Sequence, residues 1–184
     1  MTDAASIRES LKDRLKVIAD ALTVARSCIA LLILLCALSA ARGLLPLVIL
    51  LVLAGWTTDV LDGRLARAGD AGRKTWVGDH EFLADLGLMY SSLLYFMAAG
   101  FLPFLPYFLY MLYAAAVALA WMNMSYVMAV SAPVAASAPI MAFVHARPLG
   151  WLFLAWIALH LLCNWGRFRR EVADFISGVE MPEG

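Results

Sequence analysis

The run "LLPLVILLVLAGWTTDVLDGRLAR" (residues 44–67) is apolar for most of its length and then gathers two aspartates and two arginines in its last nine residues. The apolar part is a transmembrane-type helix. The charged part falls where such a helix leaves the membrane, and Asp59 and Asp62 are three apart, so a continuing helix carries both on one face. Either the charges are a solvated rim, or they form a site.

The rest of the chain sets the context. It has 184 residues, 64% of them hydrophobic, against the near-half apolar content of soluble domains. Its mean hydropathy is +0.82. These values predict an all-α polytopic membrane protein of one domain. Formal net charge is zero, which argues against a nucleic-acid partner. The first 20 residues are polar and charged, without the apolar core of a secretory signal. Cys28, Cys36 and Cys163 fall in apolar segments without metal-ligand spacing; they are read as buried small hydrophobes with no disulfide.

Residues 1–20 read as a juxtamembrane amphipathic helix. Ile7, Leu11, Leu15 and Ile18 share one face, and Arg8, Lys12 and Lys16 lie off it, the pattern of a helix lying in the interface. Residues 21–170 read as a bundle of six transmembrane helices, with spans near 23–40, 44–58, 82–101, 106–122, 126–144 and 149–165. Residues 171–184 read as a cytoplasmic tail. Of fourteen basic residues, only Arg42 and Arg147 fall opposite the rest. By the positive-inside rule both termini and the 2–3 connection are cytoplasmic.

The acids are unevenly spread. Six of fourteen (Asp59, Asp62, Asp70, Asp79, Glu81 and Asp85) lie between residues 59 and 85, and spans 4 to 6 have none. Glu81 and Asp85, four apart, open span 3 on one helical face. Two helices joined by a short connection can turn these acidic faces together. Four converging carboxylates need cations, and hard divalent ions with oxygen ligands are the natural choice. Asp70 and Asp79 sit in "GDAGRKTWVGD" (residues 69–79) and suit a solvated loop; Asp79 shares a face with Asp85 poorly. Gly63 and Ala66 adjoin the acidic face and allow close approach of a ligand or a neighbouring helix. Trp56, Trp121, Trp151 and Trp165 lie near span ends and read as interfacial belt residues. His160 and Asn164 in span 6 read as a hydrogen-bonded interhelical pair.

The spacing Asp59-x2-Asp62-Gly63-x2-Ala66-Arg67 resembles the opening half of the CDP-alcohol phosphotransferase signature, D-x2-D-G-x2-A-R-x8-G-x3-D-x3-D, at every fixed position. "ALTVAR" (residues 21–26) also resembles the family's segment opening span 1, through Thr23 and Arg26. The second half departs from the pattern. The spacer after Arg67 is one residue longer, Val77 stands at the glycine position and Glu81 at the third acidic position, while Asp85 takes the last. Span 5 lacks the basic group many members carry there.

The resemblance implies an integral-membrane enzyme of phospholipid biosynthesis. It would move a substituted phosphate from a CDP-linked lipid donor, CDP-diacylglycerol foremost, to a small alcohol acceptor, releasing CMP. Asp59, Asp62, Glu81 and Asp85 would hold Mg²⁺ or Mn²⁺, as two divalent ions. Asp85 would also be the general base, Gly63 and Ala66 would clear room for the nucleotide, and Arg67 would contact a phosphate, with Arg26 and Asp79 as further candidates. A homodimer and a bacterial inner-membrane location, with the active site cytoplasmic, are further implications. The altered second half leaves another reading, a relative that has lost chemistry and binds nucleotide or lipid or serves as a scaffold. An ion transporter would place its acids nearer mid-membrane.

Overall fold

The computed structural model describes the backbone of residues 2–68, 81–120, 124–166, 169 and 172–173. Within these, side chains are described from residue 14 onward, except at 66–68, 81, 118–119, 124–126 and 128. The described residues form six α-helices and no strand: α1 (Thr2–Ser39), α2 (Leu45–Ala68), α3 (Glu81–Ala98), α4 (Phe104–Ala120), α5 (Met124–His145) and α6 (Arg147–Cys163).

The amphipathic segment and the first apolar run are one helix. No glycine or proline occurs between residues 2 and 39, so nothing in the local sequence breaks α1 where its composition changes. At 1.5 Å per residue it is about 57 Å long. It stops at Ala40, whose φ of 50° is left-handed. A 3₁₀ turn (Arg42–Leu44) then leads into α2, with Pro46 in its first turn, where a missing N–H costs nothing. As expected, α2 continues through the charged stretch to Ala68.

α1 lies chiefly against α2 and α3; α5 and α6 pair with each other, and α4 leans on α3 and α5. Ile33, Val48, Ile49, Val52, Leu88, Leu93, Phe96, Val134 and Phe153 form the shared core, all at most 2% exposed. α3 ends on Gly100 (φ 72°), and the Phe96 carbonyl accepts from the N–H groups of both Phe101 and Leu102. Arg42 fastens that end to the α1–α2 turn. Its Nε donates to the Ala99 carbonyl (2.9 Å) and Nη2 to that of Gly100 (2.8 Å). Tyr95 adds a hydrogen bond to the Ala41 carbonyl at 2.9 Å. With one end of the α1–α2–α3 unit fixed in this way, the C-terminus of α2 and the N-terminus of α3 meet at the other.

The outward faces are apolar: Leu31, Leu35 and Leu38 on α1, Leu105, Leu109 and Leu112 on α4, and Leu159 and Leu162 on α6 are all exposed. Two stretches, Arg14–Ser39 and Arg42–Leu65, are long and apolar enough to cross a membrane; four further apolar helices are shorter. The reading of the cysteines as buried is corrected at two positions. Cys28 and Cys163 are exposed on these apolar outer faces, where a small apolar side chain needs no burial, and only Cys36 is partly covered. All three are free thiols.

Candidate active site

Three helices contribute to the charged end of the unit. α2 brings Asp59 and Asp62 on one face, three residues apart. α3 brings Asp85 in its second turn. Both meet the middle of α1, where Thr23 and Arg26 share a face by the same spacing. The Arg26 guanidinium lies among the three carboxylates: Nη1 is 3.1 Å from Asp59 Oδ1, Nη2 is 3.3 Å from Asp62 Oδ2, and Nη1 also pairs with Asp85 Oδ1. Thr23 Oγ1 donates to Asp62 Oδ2 at 2.7 Å, so this one oxygen takes both a hydroxyl and a guanidinium.

The cluster is graded in depth. Arg26 has no exposed surface and the Asp62 side chain is 4% exposed, while those of Asp59 and Asp85 are 47% and 33% exposed. Asp62 is therefore the inner carboxylate, and Asp59 and Asp85 are the more exposed outer pair. Arg26 Nε is buried with no hydrogen-bond partner among the described residues. A buried guanidinium is stable only when carboxylates hold it, and here it draws acids from two helices onto the third.

A cavity of about 180 Å³ opens beside the outer pair. Its walls are Trp56, Asp59 and Val60 of α2, Asp85, Leu88 and Met89 of α3, and Trp156 of α6. The two indole centroids are 5.8 Å apart. Trp156 donates from Nε1 to Thr57 Oγ1 (3.0 Å), and Trp56 meets Phe153 edge to face at 5.0 Å.

Trp56 is thus a wall of the cavity and packs against α6, a correction to its reading as an interfacial belt residue. Its position three residues before Asp59 places it on the same helical face, a signal that was present in the spacing. Trp156 had no such signal; its role depends on how α6 packs. Trp151 and Trp165 are exposed near helix ends. Asn164 accepts from Arg64 of α2 at 3.4 Å and donates to the His160 carbonyl, while the His160 ring packs on Trp156 at 4.1 Å. The interhelical partner of Asn164 is therefore Arg64, and His160 is held within its own helix.

Among the expected site residues, Asp59, Asp62, Asp85 and Arg26 are brought together, and Gly63 follows Asp62 on α2, half-buried. Ala66 and Arg67 lie on the last turn of α2 and Glu81 is the first residue of α3, but their side chains lie outside the described ones. Asp79 lies outside the described residues altogether, as do Asp70 and residues 121–123, Trp121 among them.

Among the described residues no group of three or more His, Cys, Asp or Glu side chains is placed to hold a metal ion. The cation at the centre of the three aspartates is Arg26. In kind, the donor set suits a hard divalent ion: every acidic ligand is an oxygen, and the two outermost are partly open.

Compared with known families, residues 16–168 match the model for CDP-alcohol phosphatidyltransferase. The chain belongs to that family. No curated protein and no solved structure matches the chain. CDP-alcohol phosphatidyltransferases are membrane-associated transferases of phospholipid biosynthesis, and the matched region runs from Lys16 of α1 through α6. The aspartates of α2 and α3, Arg26 and both indoles of the cavity all fall inside it.

Proposed function

We propose that this CDP-alcohol phosphatidyltransferase transfers a substituted phosphate from a CDP-linked lipid, CDP-diacylglycerol foremost, to the hydroxyl of a small alcohol. The observation that carries the proposal is the convergence of Asp59, Asp62 and Asp85 on Arg26, beside a cavity that Asp59 and Asp85 both line. In the reaction the acceptor oxygen forms a bond to the phosphorus that bears the diacylglycerol. The bond from that phosphorus to the bridging oxygen breaks, its electron pair stays on the departing CMP, and the hydroxyl proton passes to the Asp85 carboxylate. Asp85 suits that role because it is the partly open carboxylate of α3 and borders the cavity.

Asp59, Asp62, Glu81 and Asp85 would hold two divalent ions, Mg²⁺ or Mn²⁺, which when bound supply positive charge to the pyrophosphate and the leaving oxygen. Arg26 would then give up part of its hold on the outer carboxylates while keeping Asp62. Gly63 and Ala66 would leave room for the nucleotide, and Arg67 would contact a phosphate. All six helices would span the bilayer of a bacterial inner membrane, with both termini and the acidic end at the cytoplasmic surface. There an amphipathic donor can keep its pyrophosphate in water and its acyl chains in lipid. A homodimer is the proposed assembly.

A second reading, a family member without chemistry, draws on the Arg26 guanidinium standing where a cation would work, and on Glu81 and Val77 in the signature. Divalent dependence separates the two. Purified chain with CDP-diacylglycerol and a panel of alcohols is expected to release CMP only when Mg²⁺ or Mn²⁺ is added. Binding of the donor without CMP release under any ion supports the silent relative.

A further inference from the structure

We propose that the cavity between α2, α3 and α6 is the acceptor subsite, and that it takes a small alcohol bearing an ammonium group in preference to a phosphorylated polyol. The inference rests on the transferase reading above and names its acceptor class.

Three observations carry it. The first is composition. The walls are two indoles, two carboxylates and three aliphatic or thioether side chains, and no basic side chain is among the described residues that line it. Arg26 is fully buried behind the carboxylates, and the Arg64 guanidinium is turned to Asn164. Arg26, which pairs with both carboxylates, is not among the side chains that line the cavity. An ammonium group meets aromatic faces and carboxylates, the two kinds of group that attract it.

The second is rigidity. Cation–π attraction depends on where the ring stands, and both rings are fixed. Trp156 is tied to Thr57 by its indole N–H, and its ring also packs on His160. Trp56 is set against Phe153, which is fully buried. Neither arrangement requires the ligand, so the aromatic wall is built in advance.

The third is size and placement. About 180 Å³ falls below the roughly 300 Å³ at which drug-sized sites begin, so the cavity suits a small headgroup and not a nucleotide. Asp85 is one of its walls. An alcohol with its cation against the indoles can direct its hydroxyl to the carboxylate that is proposed to take the proton.

The test compares choline and ethanolamine with glycerol 3-phosphate, and with 3,3-dimethylbutanol, the neutral analogue of choline. Acceptor-dependent CMP release is followed from CDP-diacylglycerol micelles with Mg²⁺, alongside equilibrium dialysis of radiolabelled choline against the full chain. Choline or ethanolamine is expected to exceed both other alcohols in kcat/KM. Trp56→Leu and Trp156→Leu are each expected to raise KM for the cationic alcohol roughly tenfold with a much smaller change in kcat. Trp156→Phe, which keeps an aromatic face and tests for simple misfolding, is expected to retain most of the affinity. If glycerol 3-phosphate or the neutral analogue serves as well as choline and ethanolamine, or if the leucine variants leave KM unchanged, the subsite proposal fails while the transferase reading stands. If no alcohol releases CMP yet choline binds and the leucine variants lose it, the subsite stands and the transferase reading fails. Absence of both sinks both.

Discussion

Arg26 of α1 and Asp62 of α2 form an ion pair at 3.3 Å with both side chains withdrawn from the surface, and Thr23 donates to the same carboxylate oxygen at 2.7 Å. The pair joins two helices at the level of the proposed chemistry, so its removal should be felt in stability as well as in activity. Taking away one partner of a buried pair costs about 3–5 kcal/mol, because the other charge is left buried. Arg26→Met should therefore lower the thermal unfolding temperature of detergent-solubilised protein strongly. Arg26→Met combined with Asp62→Asn should recover part of that loss. Equal unfolding temperatures for the wild type and Arg26→Met would contradict the pairing.

Two glycines set helix–helix distances with different tolerance. A Cβ at Gly55 would meet the Leu88 side chain at 2.5 Å, and Leu88 can rotate. A Cβ at Gly150 would meet the Phe143 backbone at 2.6 Å, and backbone cannot move aside. Gly55→Ala should cost about 1–3 kcal/mol as an overpacking change, and Gly150→Ala more. Because Gly55 and Leu88 lie one turn from Asp59 and Asp85, Gly55→Ala should also reduce activity. Chemical unfolding followed by tryptophan fluorescence ranks the two.

Arg42 holds the far end of the α1–α2–α3 unit through two carbonyls of the α3 terminus, with its guanidinium 5.5 Å from the Phe101 ring centre. Arg42→Ala should destabilise by about 1–2 kcal/mol, since charge-assisted hydrogen bonds near solvent contribute modestly. It should leave KM for both substrates unchanged, because this anchor lies at the opposite end from the carboxylates. A large rise in KM with unchanged stability would show that Arg42 belongs to the site.

Much of this was legible in the chain itself. The three-residue spacing of Asp59 and Asp62 already put both on one face, and the unbroken run through "DVLDGRLAR" (residues 59–67) already implied the long α2. The continuity of α1 was written in the lack of any breaker, although its change from polar to apolar suggested two units. What local pattern cannot carry is partnership across helices. Arg26 is 36 residues from Asp62 and 59 from Asp85, and its role as their shared cation follows only from how α1 packs into the α2–α3 groove. Trp156 is 99 residues from Thr57, and a tryptophan within an apolar helix has the same local pattern whether it faces lipid or a cavity.

Glu81 stands in the signature where its family pattern has aspartate, one methylene shorter. Metal ligation is sensitive to such a change in reach. If the glutamate is a compromised ligand, Glu81→Asp should lower the Mg²⁺ or Mn²⁺ concentration needed for half-maximal activity. If the site is built around the longer side chain, the same variant should lose activity. A variant with unchanged ion dependence and unchanged turnover would remove Glu81 from the proposed ligand set.

The central claim is that the aspartates gathered around Arg26 carry out phosphate transfer with loss of CMP. The most direct measurement follows CMP and new phospholipid together, from CDP-diacylglycerol, divalent ion and the alcohol panel, for the wild type and for Asp85→Asn. The expected result is CMP and phospholipid in equal amounts, formed only with an acceptor, and loss of both in Asp85→Asn while the variant remains folded and still binds the donor. Undiminished transfer by Asp85→Asn, or no transfer by the wild type to any alcohol, would contradict the claim.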